Sequence, residues 1–170
     1  MKLKTFSMGG VHPEENKITA EVATVVAPLP QQAIFPLSQH IGAPAKPVVN
    51  RGDKVKVGTL IAEANGFVSA PIYSSVSGTV LKVDPAIDAT GYRKPAIYIN
   101  VKGDEWEESI DRSETLETLD KHPELTPEEI VNRIKVAGVT GMGGAGFPTF
   151  IKLCPPPTAK AECVILNGVE

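Results

Sequence analysis

Cysteine is scarce in this chain of 170 residues, which contains only Cys154 and Cys163. An iron–sulfur cluster or structural zinc site normally draws on more thiolates at closer spacing, so these two residues form no metal-binding motif. In a reducing compartment both should remain thiols. The sequence therefore predicts neither a metal site nor a disulfide.

Long apolar runs are also missing. No segment approaches the ~20 consecutive apolar residues that a membrane-spanning helix needs, and Gly9 and Gly10 interrupt the amino terminus before a signal-peptide core can form. The net charge of −3 provides no general attraction for nucleic acid or anionic lipid. We expect a soluble, cytoplasmic chain that neither binds nucleic acid nor inserts directly into a membrane.

Aromatic residues make up only 5% of the chain, whereas glycine and proline each occur 15 times. This balance favours short strands and tight turns over a helical bundle. Residues 1–26 are predicted to form a turn-rich arm that ends in a first strand at 21–26, and residues 27–103 a β domain. Its predicted strands are 33–37, 47–49, 57–64, 67–72, 75–83 with a bulge at Gly78, and 96–101.

Within the β domain, three sequence segments carry a family resemblance. Residues 55–61, followed by Ser69-Ala70-Pro71 and by residues 76–80, resemble the barrel-sandwich hybrid of biotinyl and lipoyl domains. Those domains carry their cofactor on a lysine at a hairpin tip, but the matching tip, residues 64–68, contains none. Asn65-Gly66 instead predicts a two-residue hairpin turn. The resemblance thus implies the barrel-sandwich fold without biotin or lipoate.

The β signals end near Gly103, and residues 104–125 form an acidic linker that Trp106 is expected to anchor. Thr126, Pro127 and Glu129 then fit the N-cap, N1 and N3 positions of a helix that should end at Ala137. Gly138 follows where a left-handed C-cap is favoured. Residues 126–170 are predicted to begin an α/β domain, which completes the predicted fold class.

Four glycines lie close together after that helix: Gly141, Gly143, Gly144 and Gly146. Glycine lets a ligand approach the main chain, so the segment predicts a loop that holds an anion with its amides, assisted by Lys152. The G-x-G-x-x-G pattern alone is weak, because a Rossmann loop follows a strand and this one follows a helix. A loop between two helices is expected, and a flexible linker is the structural alternative.

Residues 143–149, then Lys152 and residues 165–170, give a more specific resemblance. They are similar to the flavin-binding region shared by the NADH-binding flavoprotein subunit of respiratory complex I and the C subunit of the Rnf electron transport complex. An amino-terminal Gly-Gly-x-His-Pro element at Gly9 to Pro13, followed by Lys17, and a barrel-sandwich domain before the loop favour the Rnf C subunit.

The resemblance implies roles for six residues. Gly143, Gly144 and Gly146 would present amides to FMN and leave room for NADH, and Lys152 would meet the flavin phosphate or another polar edge. Asn167 and Glu170 would hydrogen-bond the flavin at the carboxyl end of a strand over 163–166. A simple turn is the alternative for Asn167-Gly168. Met142 and Val169 depart from the complex I pattern, so its nicotinamide contacts do not transfer directly.

The same resemblance implies a function for a longer protein. This chain would be the amino-terminal part of a peripheral NADH:FMN electron-input subunit, bound to other Rnf subunits at the cytoplasmic face of the bacterial inner membrane, with ferredoxin an indirect partner. Two [4Fe–4S] clusters would lie downstream, since this chain holds no ligands for them. Residues 1–170 alone should be inactive and bind FMN poorly. A non-catalytic module that docks partner subunits through the barrel is the alternative.

Overall fold

The structure is a computed structural model that describes Glu14 and residues 16–88, 90–113, 115, 117–118, 121–156, 158, 163 and 165. The elements in chain order are β1 (Gln32–Pro36), β2 (Lys46–Pro47), β3 (Lys54–Val55), β4 (Leu60–Glu63), β5 (Ile72–Tyr73), β6 (Ser77–Ile87), β7 (Arg93–Gly103), α1 (Pro127–Val136) and α2 (Thr149–Lys152). In the part of the chain so described, no helix has the length and apolar character needed to cross a membrane.

The strands form two antiparallel sheets that face a shared core. One sheet has the order β1-β7-β6-β3 and the other β2-β4-β5. Ile61, Ile97 and Ile99 are fully buried between them. This arrangement confirms the predicted barrel-sandwich architecture, because residues from both sheets form one buried apolar core.

The pairing of β6 with β7 shifts register between Ser77 and Gly78, as the predicted bulge requires. A β-carbon on Gly78 would lie 2.1 Å from the carbonyl oxygen of Asn100 on the neighbouring strand. Only glycine fits so close to the adjacent backbone. The bulge is therefore a consequence of the residue chosen at this position.

The prediction of a first strand at residues 21–26 is wrong. No β-strand is assigned there, and Val25 and Val26 are 81% and 92% exposed. A strand needs both a hydrogen-bonding neighbour and a buried face. The edge of the four-stranded sheet is instead occupied by β1, which begins at Gln32 and pairs with β7.

The prediction of a two-residue turn at Asn65-Gly66 is also wrong, because residues 64–71 form a longer loop between β4 and β5. The hydroxyl of Ser69 closes this loop by accepting from the Asn65 amide at 2.9 Å and donating to the Ala43 carbonyl at 3.0 Å. Gly66 does take a positive φ of 114°. Bonds to a distant segment thus override the local turn signal.

Helix α1 begins as predicted. Thr126 accepts from the Glu129 amide through its side chain, and the Glu129 carboxylate accepts from the Thr126 amide at 2.8 Å, so the capping box is complete. The helix ends at Val136, and Gly138 has the positive φ of 69° expected beyond a C-cap.

The beginning of the acidic segment packs on the barrel. Val57 donates to the carbonyl of Glu105 at 2.8 Å and accepts from the amide of Glu107 at 2.9 Å, which places Trp106 in a parallel bridge beside Val57. The Arg112 guanidinium lies 4.7 Å from the centre of the Trp106 ring. Trp106 therefore anchors this segment, in agreement with the sequence.

Candidate functional site

The glycine loop connects α1 to α2, as predicted, and it is closed at its base. The amide of Gly141 donates to the carbonyl of Phe147 at 2.9 Å, and that of Thr149 donates to Val139 at 3.0 Å. Thr140 and Pro148 form an antiparallel bridge between these bonds. The loop therefore has a fixed neck at Gly141, and Gly143 and Gly144 lie beyond it.

One side of the loop rests on the barrel. The amide of Ile41 donates to the carbonyl of Ala145 at 3.1 Å. A β-carbon on Gly146 would lie 2.9 Å from the Gln39 carbonyl oxygen, and the φ of Gly146 is +64°. Glycine is required at this position for backbone geometry and for contact with the barrel, whatever ligand the loop holds.

The barrel segment beneath the loop is held by His40, which is 8% exposed. Its Nε2 accepts from the Ala70 amide at 3.1 Å, so Nδ1 carries the proton and donates to the Ile41 carbonyl at 3.1 Å. Sequence reasoning missed His40, since no motif surrounds it and its partner is thirty positions away along the chain.

Gly143 and Gly144 differ from Gly146. A β-carbon on either would meet no atom within 4 Å, and neither has a positive φ in the left-handed region. The described fold therefore imposes no need for glycine at these two positions. Close approach of a ligand to the main chain would be a physical reason for glycine at both positions.

The amides of the loop are available as donors. From Met142 to Phe147, no main-chain N–H donates a hydrogen bond to any residue that the structure describes. Such a run of unsatisfied donors is costly in an apolar environment but favourable around an anion. The loop can consequently aim several N–H groups at one phosphate.

Lys152 supplies a positive charge next to these donors. Its Nζ lies 3.1 Å from the position that a β-carbon on Gly141 would take, so the ammonium reaches the base of the loop. Among the described residues, no carboxylate lies within ion-pair distance of it. Lys152 thus lies at the base of the loop that carries Gly143, Gly144 and Gly146, and the contacts of these four residues to a ligand stay predictions.

A cleft of about 520 Å³ lies between the loop and the barrel. The barrel contributes Ser38, Gln39, His40 and Ile41, and the loop contributes residues 140–142 and 144–146. This volume is typical of pockets that hold small molecules. In the part of the chain that can be examined, no group of three or more His, Cys, Asp or Glu residues could hold a metal ion.

Two predicted site residues, Asn167 and Glu170, lie outside the described residues, as do residues 164 and 166 of the predicted strand over 163–166, and the described Cys163 and Ile165 belong to no strand. Their proposed contacts to the flavin stay predictions. Cys154 and Cys163 are both free thiols on the surface.

Comparison with known proteins finds two families in succession. Residues 4–104 match the RnfC barrel sandwich hybrid domain, and residues 134–170 match the Nuo51 FMN-binding domain. The second match begins within α1 and includes the glycine loop and Lys152.

Relatives match over nearly all of the chain. The C subunit of the proton-translocating ferredoxin:NAD(+) oxidoreductase complex of Clostridium ljungdahlii is 45% identical over 170 residues, which cover 99% of this chain and 36% of that protein. The Na(+)-translocating counterpart of Acetobacterium woodii is 43% identical over 100% of this chain and 37% of its own length. The C subunit of the ion-translocating oxidoreductase complex of Rhodobacter capsulatus is 40% identical over 99% and 32% respectively. The chain thus spans about a third of these relatives.

Proposed function

This chain belongs to the RnfC barrel sandwich hybrid family, and we propose that it forms the amino-terminal part of the C subunit of an ion-translocating oxidoreductase complex. In that subunit, residues 141–152 would form one wall of an FMN site. The match of residues 134–170 to an FMN-binding domain supports this assignment.

The observation that carries the proposal is the set of free amides beside an unpaired lysine. The N–H groups of residues 142–147 make no hydrogen bond within the described structure, and Lys152 reaches the loop base at Gly141. A phosphate monoester carries a double negative charge and accepts several hydrogen bonds, so it matches this donor set. Gly143 and Gly144 have open space where a side chain would otherwise block the ligand.

The proposed residue roles follow from this geometry. Gly143 and Gly144 leave the main chain accessible to the phosphate, Gly146 fixes the loop on the barrel, and Lys152 balances the phosphate charge. For Asn167 and Glu170, which lie outside the described residues, the resemblance alone supports hydrogen bonds to the flavin. When bound, FMN supplies the exchange between two-electron donors and one-electron carriers, which side chains cannot perform.

The reaction partners are proposed from the relatives. The proteins of Clostridium ljungdahlii and Acetobacterium woodii are named for exchange between ferredoxin and NAD(+) coupled to ion translocation. We propose NADH as the nicotinamide substrate at the FMN site and ferredoxin as an indirect partner. We further propose that other subunits of a membrane complex bind this protein at the cytoplasmic face. The two [4Fe–4S] clusters would have their ligands beyond the residues of this chain.

The test measures FMN retention by the natural polypeptide that contains residues 1–170. Lys152→Ala should lower FMN affinity by about tenfold or more, since a charge-assisted hydrogen bond contributes roughly 1.5–3 kcal/mol. Lys102→Ala is the matched control, because Lys102 is an exposed lysine of β7 and belongs neither to the glycine loop nor to α2. Equal FMN affinity in the two variants would remove Lys152 from the site. A wild-type protein that takes up no flavin would favour the docking-module alternative.

A further inference from the structure

We propose that the barrel is itself part of the nucleotide site, with the Ser38 hydroxyl donating a hydrogen bond to a ligand phosphate held by the glycine loop. This inference rests on the proposed function and extends it to a second wall of the cleft. It assigns a ligand contact to the RnfC barrel domain, which otherwise serves as a scaffold for the loop.

The hydroxyl of Ser38 is the observation that points to a ligand. It is the single buried side-chain polar atom without a partner in the described part of the chain, and Ser38 is one of the residues that line the cleft. An unsatisfied buried hydroxyl is unfavourable for folding, so natural proteins seldom keep one without a reason. Rotation of the Ser38 side chain about its Cα–Cβ bond towards the cleft would let a ligand oxygen give this hydroxyl the acceptor that the described residues do not provide.

The barrel wall is rigid enough to position such a group. Leu37, one residue before Ser38, is buried and donates to the Pro95 carbonyl at 3.0 Å, while its own carbonyl accepts from Ala45 at 2.8 Å. On the other side, His40 is fixed at both ring nitrogens by Ala70 and Ile41. Ser38 is therefore held between two anchored residues rather than on a free loop.

The charge of the cleft fits an anion. Among the described residues, no acidic side chain lines the cleft. The main-chain N–H groups of Ser38, Gln39 and His40 donate to no described residue, as is true of residues 142–147 across from them. Both walls thus offer donors and no carboxylate from the described part of the chain, which favours a phosphate over a cation or an apolar ligand.

The two walls are also coupled to each other. The hydrogen bond from Ile41 to Ala145 and the close packing of Gly146 on Gln39 set the spacing between Ser38 and the loop amides. A phosphate contacted from both sides would stabilise this interface as well as be bound by it. FMN carries a phosphate as its monoester, and the nicotinamide dinucleotide carries phosphates in its pyrophosphate.

The experiment compares Ser38→Ala with Ser75→Ala in the natural polypeptide. Ser75 is an exposed serine of the same barrel that does not line the cleft, so it controls for loss of a hydroxyl. Removing an unpartnered hydroxyl should leave the thermal midpoint of unfolding unchanged or raised, so loss of binding in Ser38→Ala will not reflect misfolding. FMN and riboflavin are titrated by flavin fluorescence, and NAD⁺ is titrated calorimetrically against the flavin-loaded protein.

We expect Ser38→Ala to weaken binding of one phosphorylated ligand about tenfold, equivalent to about 1.4 kcal/mol. Weaker FMN binding with unchanged riboflavin binding identifies the flavin phosphate as the partner. Weaker NAD⁺ binding with unchanged FMN binding identifies the pyrophosphate. Unchanged affinity for FMN and NAD⁺, or an equal loss for FMN and riboflavin, overturns the inference. If Lys152→Ala still releases FMN in either of those cases, the proposed function stands without it.

Discussion

The hydroxyl of Tyr73 donates a 2.6 Å hydrogen bond to the carbonyl oxygen of Val136, the last residue of α1. The final carbonyls of a helix lack partners within the helix, and here a barrel strand provides one. Two residues later, Gly138 packs so closely that a β-carbon on it would lie 2.6 Å from the Pro71 carbonyl oxygen. The end of α1, and hence the start of the glycine loop, is therefore fixed by the barrel.

Replacing Tyr73 by phenylalanine should weaken this attachment. The variant keeps the aromatic ring and loses only the hydroxyl, so we expect the free energy of unfolding to fall by roughly 0.5–1.5 kcal/mol, near the lower end because the bond is exposed. Urea denaturation followed by circular dichroism measures the change. Tyr92→Phe is the control, since Tyr92 is 72% exposed and its hydroxyl has no described partner. Equal stability of the two variants would show that the bond contributes nothing in solution.

Two glycines of one loop should respond differently to alanine. In Gly146→Ala, the positive φ and the 2.9 Å contact with the Gln39 carbonyl oxygen should destabilise the loop against the barrel by roughly 1–3 kcal/mol. In Gly143→Ala, open space around the new methyl should leave stability within about 0.5 kcal/mol. FMN affinity should nevertheless fall in Gly143→Ala, because the methyl occupies the path of the phosphate.

Thermal unfolding and flavin titration of both alanine variants separate these effects. A stable Gly143→Ala protein with wild-type FMN affinity would contradict close approach of the ligand at Gly143. A Gly146→Ala protein as stable as the wild type would show that the loop does not rest on the barrel in solution.

The sequence predicted best what is determined locally. The capping box at Thr126 involves residues only three positions apart. The bulge lies at Gly78, and a strand requires glycine only where the neighbouring backbone comes very close. Residues 21–26 have strand-like composition but no pairing neighbour, and that neighbour is a property of the whole sheet. The loop was found because glycine clusters are unusual in packed structure. Ser38 and His40 could not be found, since their significance depends on segments far away in sequence.

The β6–β7 hairpin should lose a stabilising interaction at acid pH. The Lys94 ammonium lies 2.7 Å from Asp88, and the hydroxyl and the amide of Thr90 both donate to the same carboxylate, so together they hold the pKa of Asp88 well below its usual range. A lowered folded-state pKa gives stability that is present above the unfolded pKa, near 4, and is lost as pH falls towards the folded pKa. Asp88→Asn should therefore be less stable than wild type at pH 7.

The difference in unfolding free energy between wild type and Asp88→Asn should shrink as pH falls below about 4. Asp104→Asn, which removes an exposed carboxylate that has no described hydrogen bond or ion pair, is the matched control. A pH-independent difference for Asp88→Asn would mean that the carboxylate charge is not what stabilises the hairpin tip.

His122, in the segment before α1, should respond to pH in the opposite direction. Its Nε2 lies 2.7 Å from Glu117 and its Nδ1 3.2 Å from Glu124, and these carboxylates raise the pKa of His122, with Glu117 the larger cause. A raised folded-state pKa gives stability that is complete below the unfolded pKa, near 6.5, and is lost as pH rises through the folded pKa. The contacts of His122 should accordingly weaken above neutral pH.

Proton NMR of the imidazole ring checks this directly. The titration midpoint of His122 should lie above about 6.5 in the wild type and move down in Glu117→Gln, where the larger of the two interactions loses its charge. Glu21→Gln, which removes an exposed carboxylate far along the chain, should leave the midpoint in place. A wild-type midpoint at or below about 6.5 would show that the carboxylates do not hold the ring in solution.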